Sequence, residues 1–88
     1  ILTYREDFER EQRMASGSER VFDAKEVGAV LRGRRKSLGY TQEQVATLMG
    51  CSPRLIGEME RGRATVGLQK MLDYATGLGI DVILSARG

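Results

Sequence analysis

Apolar residues recur at helical spacing in four segments of the 88-residue chain between residues 23 and 79. A three- and four-residue spacing predicts amphipathic helices that bury one face. The first predicted helix covers residues 24–38, two short helices fill residues 41–62, and a fourth covers residues 66–77. The positions that share the inward face are Val27, Val30, Leu31, Leu38, Val45, Met49, Ile56, Met59, Leu68, Met71, Leu72 and Ala75. The pattern predicts a small, mainly α fold.

The two short helices of residues 41–62, TQEQVATLMGCSPRLIGEMERG, have clear start and stop signals. Thr41 and Ser52 are capping residues, the first with glutamine three residues later as in a capping box and the second followed by proline. Gly50 supplies the positive φ that a tight helix exit needs. Ala46 is small enough to let the second helix cross closely. This arrangement is typical of a DNA-binding helix-turn-helix, whose second helix enters the major groove.

The N-terminal residues 1–22 form a separate region in this interpretation. They are acidic and polar, and Ser16, Gly17 and Ser18 are typical of a linker. We expect a mobile arm here, with a short helix over residues 4–14 as the alternative, because the apolar surface of this segment is thin. The helix-turn-helix domain then covers residues 23–79, opened by a cap at Asp23 with Glu26 completing a capping box.

The C-terminal residues 80–88, IDVILSARG, change the pattern from helical to alternating. Ile80, Val82 and Leu84 alternate with other residues, a β-branched pattern that predicts a strand. A single strand is not stable alone, so we expect two copies to pair their tails in a homodimer, with Ile83 also at the dimer contact. An additional helix is the alternative.

The segments LRGRRKSLGYTQEQVATLMG, SPRLIGEMERGR and LQKMLDYATGLGI resemble the lambda-repressor-like (Cro-type) helix-turn-helix family, from about Asp23 to Ile80. The resemblance implies a bundle of four to five short helices, the third reading bases, in a regulator that binds a palindromic double-stranded DNA operator as a dimer. The tail resembles the HipB-type antitoxins, whose C-terminal strand pairs in the dimer. Members of that branch repress their own operon and bind a HipA-type kinase toxin, so this toxin is an implied partner.

Charge is distributed unevenly along the chain, although the net charge is only +2. Residues 24–88 carry ten Lys or Arg against six acids, and seven of those ten cations lie between residues 32 and 63. This is a moderate electrostatic footprint for nucleic acid. One Cys and no His suit a reducing cytoplasm and offer no metal cluster or general base. We expect no cofactor, no membrane span and a cytoplasmic, nucleoid-associated protein that is not an enzyme.

Base recognition is expected at the exposed first turns of the second short helix. The residues there are Ser52, Pro53, Arg54, Leu55, Gly57 and Glu58. Arg54 is the strongest candidate, because a guanidinium can bond bidentately to guanine; a phosphate contact is the alternative. Leu55 contacts a thymine methyl or is partly buried, and Glu58 accepts from cytosine N4 or stays solvated. Pro53 and Gly57 lack hydrogen-bonding side chains, so DNA shape and phosphates contribute to sequence preference.

Further polar residues near the reading helix have expected roles, some from their position and some from the family resemblance. Gln42, at the start of the preceding helix, is expected to bind a phosphate. Arg61 and Arg63 flank the end of the reading helix, where at least one neutralises a phosphate. The family pattern pairs Arg35 with Glu60 as a structural salt bridge between helices.

The remaining charged and reactive residues have simpler interpretations. Arg32, Arg34 and Lys36 are expected to form a solvated face with one residue near the DNA backbone. Cys51 is expected to be a half-buried hydrophobic residue, and Tyr74 a core or dimer-interface residue.

These observations favour a dimeric, sequence-specific repressor, with the autorepressing antitoxin of a HipA-type operon as its more specific form. An ordinary small phage or bacterial repressor is the alternative. A different class is also open: a dimeric protein-interaction module with weak DNA binding, supported by the apolar tail and by the few base-reading donors. The two classes differ in whether Arg54 or the tail residues carry the function.

Overall fold

The computed structural model describes residues 18–87, and the helices lie between residues 24 and 77 of that range. In chain order the elements are α1 (Ala24–Ser37), α2 (Gln42–Met49), α3 (Pro53–Glu60), a 3₁₀ turn (Ala64–Val66) and α4 (Leu68–Gly77). The mainly α prediction is confirmed. The fourth helix begins two residues later than predicted, because residues 64–66 form the 3₁₀ turn. The predicted arm or helix of residues 4–14 lies outside the described residues.

Side-chain caps begin three of the helices, as the sequence signals predict. Thr41 and Gln44 form a complete capping box at α2, with each side chain bonded to the other's backbone N–H at 2.8 and 3.1 Å. The hydroxyl of Ser52 accepts from the N–H of Leu55 at α3. Asp23 caps α1, but the Glu26 carboxylate accepts from Phe22 N–H at 3.3 Å. The prediction of a capping box at Asp23 is therefore wrong for Glu26, whose carboxylate bonds to Phe22 N–H instead of Asp23 N–H.

The core lies where α1, α3 and α4 meet α2. Its fully buried members come from all four helices and the residue after α4: Leu31, Val45, Ala46, Ile56, Met59, Tyr74, Ala75 and Leu78. Two expected core positions are wrong. Leu68 is 68% exposed and Leu38 is also exposed, because each lies at a helix end where the apolar stripe runs past the bundle.

Helices α1 and α3 approach one another closely at Gly28. A β-carbon at this position would lie 2.5 Å from the carbonyl oxygen of Glu60 on α3, which is closer than real side chains come. Only glycine therefore allows this crossing. The contact fixes the back of α3 against α1 and leaves the opposite side of α3 facing outward.

The segment after α4 has neither helix nor strand assigned up to residue 87. Ile80 donates its N–H to Ala75 at 2.8 Å and packs against the core. Val82, Ile83 and Leu84 project into solvent, with Leu84 95% exposed. Within the described residues of one copy, the predicted strand has no partner strand to pair with, so its pairing stays a prediction.

Arg34 departs from the expected solvated face. Its Nε donates to the carbonyl of Leu78 at 2.8 Å, so that α1 caps the C-terminal end of α4. A cation near the last carbonyls of a helix also interacts favourably with the helix dipole.

Of the helices that the structure describes, none has both the length and the apolar character to cross a bilayer.

Candidate nucleic-acid interface

The connection between α2 and α3 holds the two helices in a fixed relation. Gly50 ends α2 in the left-handed conformation, with φ at 68°. The N–H of Cys51 then donates to the carbonyl of Ala46 at 3.0 Å. Cys51 packs half-buried against the core, as expected from the sequence. Val45 and Ala46 of α2 are buried in the core, and the residues at the start of α3, 52–54, are exposed.

The exposed start of α3 carries three of the predicted base-reading residues. Ser52, Pro53 and Arg54 are all exposed, and the Arg54 side chain is 85% accessible. Leu55 faces the other way and is half-buried against the core cluster. Of the two interpretations of Leu55, its position favours burial. The chemistry available at this turn is thus one hydroxyl, already used as a cap, and one guanidinium.

An ion cluster, formed by Arg54, Glu58 and Arg63 and called here the surface cluster, lies along the outer side of α3. One Glu58 oxygen accepts from Arg63 at 2.7 Å and from Arg54 Nε at 3.3 Å. Arg63 also donates to the hydroxyl of Thr65 at 3.0 Å. The Glu58 side chain is only 16% accessible, whereas the Arg54 and Arg63 side chains are 85% and 56% accessible. Two cations of the expected DNA face are therefore held on one anion.

Gly57 lies beneath a second group of polar side chains. A β-carbon here would lie 3.0 Å from a terminal nitrogen of Arg61 and 3.6 Å from the amide nitrogen of Gln42. The absence of a side chain lets Arg61 lie back across α3 toward Gln42. Two hydrogen-bond donors are consequently brought together at the junction of α2 and α3, a chemistry suited to phosphate.

The inner side of α3 carries a buried network around Glu60. Arg35 donates to both Glu60 oxygens, at 2.7 and 2.9 Å, and to the carbonyl of Tyr40 at 2.8 Å. The Tyr74 hydroxyl donates to Glu60 at 2.6 Å, and the Gln42 amide donates at 3.2 Å. Three helices besides α3 thus converge on one carboxylate. Among the described residues, no buried side-chain polar atom lacks a partner.

The network shifts the ionisation of its members. Burial raises the pKa of the Glu60 carboxyl, but the hydrogen bonds from its three neighbours outweigh burial, and the pKa lies below its usual value. The hydrogen bond to Glu60 raises the pKa of Arg35 against the opposing effect of burial. Burial, and then the hydrogen bond to Glu60, raise the pKa of the Tyr74 hydroxyl well above its usual range. At neutral pH, Arg35 and Glu60 are therefore both charged, and the Tyr74 hydroxyl keeps its proton.

Comparison with known proteins agrees with this geometry. The model of a family described as "Helix-turn-helix domain" matches residues 26–87. The chain belongs to this helix-turn-helix family. A solved structure described as a complex of a HipB variant with an O2 20mer has the same fold, with a TM-score of 0.74 and 15% identity, covering 82% of this chain and all of that one. A search of curated proteins found no match.

The expected resemblance to the lambda-repressor-like helix-turn-helix proteins is thus confirmed, and the fold is that of HipB. Membership of a helix-turn-helix family also favours a protein that is not an enzyme. Within residues 18–87, no group of three or more Cys, Asp or Glu residues is arranged to hold a metal ion.

Sequence reasoning missed two contributions to the helix-turn-helix site. Tyr74 was expected only as a core or interface residue, yet its hydroxyl donates a hydrogen bond to Glu60. Gln42 was expected to bind phosphate, yet its amide also reaches into the buried network. Neither contact has a local signal, because the partners lie 14 and 18 residues apart in sequence. By contrast, an isolated glycine such as Gly28 inside a helical pattern is a sequence signal for close packing.

Proposed function

We propose that this chain is a sequence-specific transcriptional repressor that binds double-stranded DNA as a homodimer, with α3 in the major groove. The observation that carries the proposal is the outward projection of Arg54 from the first turn of a fixed helix-turn-helix. A guanidinium at this position of the motif reaches base edges, where it bonds bidentately to guanine. The family match supports the same function.

The surrounding residues complete the proposed interface. Gln42 and Arg61, gathered over Gly57, bind one phosphate, and Arg63 neutralises another after release from its surface ion pair. Ser52 and Pro53 shape the entry of α3 into the groove. Because few side chains read bases directly, DNA shape contributes part of the sequence preference.

The dimer in this proposal forms through the apolar tail. The side chains of Val82, Ile83 and Leu84 are exposed. Beside them, a groove of about 770 Å³ runs between the tail, α1 and α4. Pairing of two tails as antiparallel strands would satisfy their backbone groups and cover these side chains. Ile80 is less available to a partner, since it packs against its own core.

We also propose the narrower role of an autorepressing antitoxin that binds a HipA-type kinase toxin. The support is the fold shared with HipB, whose solved structure is a complex with an O2 20mer. The exposed apolar residues outside the DNA face, including Phe22 and Leu68, offer a surface for a protein partner. The same surface favours the second candidate function, a dimeric interaction module with weak DNA binding. An ordinary repressor that binds no toxin is the simpler alternative to the antitoxin role.

Selection from a randomised duplex pool, followed by fluorescence anisotropy, tests DNA binding. The repressor function predicts one enriched palindromic sequence, bound about 10³-fold or more tightly than a scrambled duplex and with a steep negative salt slope. Absence of any enriched sequence would reject the repressor and favour the interaction module.

Sedimentation equilibrium of the full chain tests the tail dimer. Leu84→Asp places a charge in the proposed contact and is expected to shift the protein to monomer. Leu48→Asp, at an exposed position on α2 away from the tail, is the matched control and is expected to leave the dimer intact. A monomeric wild type, or equal behaviour of the two variants, would contradict the tail dimer.

A further inference from the structure

We propose that Glu58 sets DNA selectivity by exclusion: it lowers affinity for DNA of the wrong sequence more than affinity for the operator. The inference rests on the proposed function, since it concerns the same face of α3. Its basis is the surface cluster, in which one carboxylate holds two arginines of the DNA face.

The geometry of the cluster places an anion where a DNA-binding surface would ordinarily be wholly cationic. Glu58 lies one helical turn after Arg54, on the same side of α3, and Arg63 closes over it from the segment that follows. The three side chains together carry a net charge of +1, whereas the two arginines without Glu58 would carry +2. Arg63 also donates a hydrogen bond to the hydroxyl of Thr65, which holds its guanidinium near Glu58.

This arrangement acts first on non-specific binding. Affinity for DNA of any sequence comes from cations that neutralise phosphates and release counterions. An arginine bonded to Glu58 is withheld from this role, and the carboxylate itself repels the phosphate backbone. The surface cluster therefore lowers the affinity that every duplex would share.

The same pairs are exchangeable when a better partner is present. Ion pairs of exposed arginines are weak in water, and Arg54 is the most accessible member of the cluster. Guanine offers Arg54 two acceptors in one plane, and a well-placed phosphate offers Arg63 a full charge. The operator can thus replace both pairs, whereas an arbitrary sequence replaces them incompletely.

Release of the arginines then exposes the carboxylate of Glu58 to the bases. A carboxylate only accepts hydrogen bonds, and in the major groove its partners are the amino groups of cytosine and adenine. Guanine O6 or thymine O4 at that place would face it with another acceptor. Glu58 consequently penalises a wrong base pair, whereas an uncharged side chain would tolerate it.

Substitution of Glu58 by its neutral isostere tests this role. Anisotropy titrations would compare wild type, Glu58→Gln and Glu43→Gln on the selected duplex and on a scrambled duplex of equal composition, over a range of KCl concentrations. Glu43 is the matched control, because it is an exposed glutamate in the first turn of the neighbouring helix. If wild type selects no sequence, the proposed function fails, and titration of Glu58→Gln on the scrambled duplex still tests whether the carboxylate withholds the arginines from phosphates.

The expected result is a loss of selectivity confined to Glu58→Gln. Its affinity for the scrambled duplex should rise about tenfold near 0.1 M salt, and its salt slope should steepen by about 1, the effect of one freed cation. Affinity for the selected duplex should rise less, so that the ratio of the two falls. Equal effects of Glu43→Gln, or a parallel change on both duplexes, would overturn the proposal.

Discussion

Two glutamates on α3, Glu58 and Glu60, gather arginine side chains on opposite sides of one helix. Around Glu60 the pair with Arg35 is buried, and both oxygens have further donors. Around Glu58 the arginines are exposed and share one oxygen. The difference teaches that burial, not residue type, decides whether an Arg–Glu pair is structural: the inner pair cannot be exchanged, whereas the outer pair is available to DNA.

Removal of the two carboxylates in turn should show the largest difference. Glu60→Ala leaves Arg35 buried without its partner, so we expect a loss of about 3–5 kcal/mol in the free energy of unfolding. Glu58→Ala breaks pairs whose arginines remain accessible to water, and it should cost at most about 1 kcal/mol. Urea unfolding followed by circular dichroism at low temperature measures both. Similar losses in the two variants would contradict the distinction.

The Tyr74 hydroxyl sharpens the comparison through its pH dependence. Tyr74→Phe removes one hydrogen bond to a charged acceptor and should cost about 1.5–3 kcal/mol at pH 7. The folded-state pKa of Tyr74 is raised, so its contribution is complete below the unfolded value, about pH 10, and is lost as pH rises above it.

Urea midpoints between pH 7 and 11 measure the effect of Tyr74. The wild type should lose stability above pH 10 more steeply than Tyr74→Phe. Tyr40→Phe, at an exposed position, is the control and should follow the wild type.

The Glu60 carboxyl affects stability at low pH. Because its folded-state pKa is lowered, its contribution to stability is present above about pH 4 and is lost as the pH falls further.

A methyl group at Gly28 tests the packing behind the inner side of α3. Since a β-carbon would meet backbone carbonyls of α3, the helices must move apart, and we expect a loss of about 1–3 kcal/mol. Gly77→Ala places the same group in open space at the end of α4 and should be nearly neutral. Thermal unfolding of both variants decides the matter; a neutral Gly28→Ala would rule out the close crossing.

A methyl group at Gly57, a buried position of α3 beneath Arg61, should have the smallest effect on stability, and this effect should be stabilising. Gly57→Ala removes the helix penalty of glycine and meets only the ends of two flexible side chains, Arg61 and Gln42, so it should stabilise the protein by about 0.5–1 kcal/mol. Displacement of Arg61 should nevertheless weaken DNA binding and reduce the salt slope by at most about 0.9. Arg61→Ala should reproduce the weaker binding without the added stability. Unchanged binding by Gly57→Ala would contradict the proposed phosphate contact.

The elements of the fold could be predicted because their signals are local. Caps at Thr41 and Ser52, the glycine at position 50 and the apolar spacing all act within one or two turns. Leu38 and Leu68 were assigned to the core wrongly, because periodicity does not tell where a helix leaves the bundle.

The contacts that organise the site are long-range and had no such signal. Arg34 reaches a carbonyl 44 residues away, and the tyrosine and glutamine that reach Glu60 lie on different helices. The family resemblance supplied Arg35 and Glu60 as partners, but not the other donors. Glu58 is different in part: its pair with Arg54 has the local four-residue spacing of a helix, whereas its pair with Arg63 depends on the position of the loop after α3.

Parallel measurement of folding and operator binding in Arg54→Ala tests most directly whether the two sides of α3 are separate. The account predicts a loss of roughly 5- to 150-fold in affinity for the selected duplex, about 1–3 kcal/mol, with the urea midpoint unchanged. Arg20→Ala, at an exposed arginine outside the helices, should change neither quantity. An Arg54→Ala protein that binds the operator like wild type, or that loses stability as far as affinity, would contradict the account.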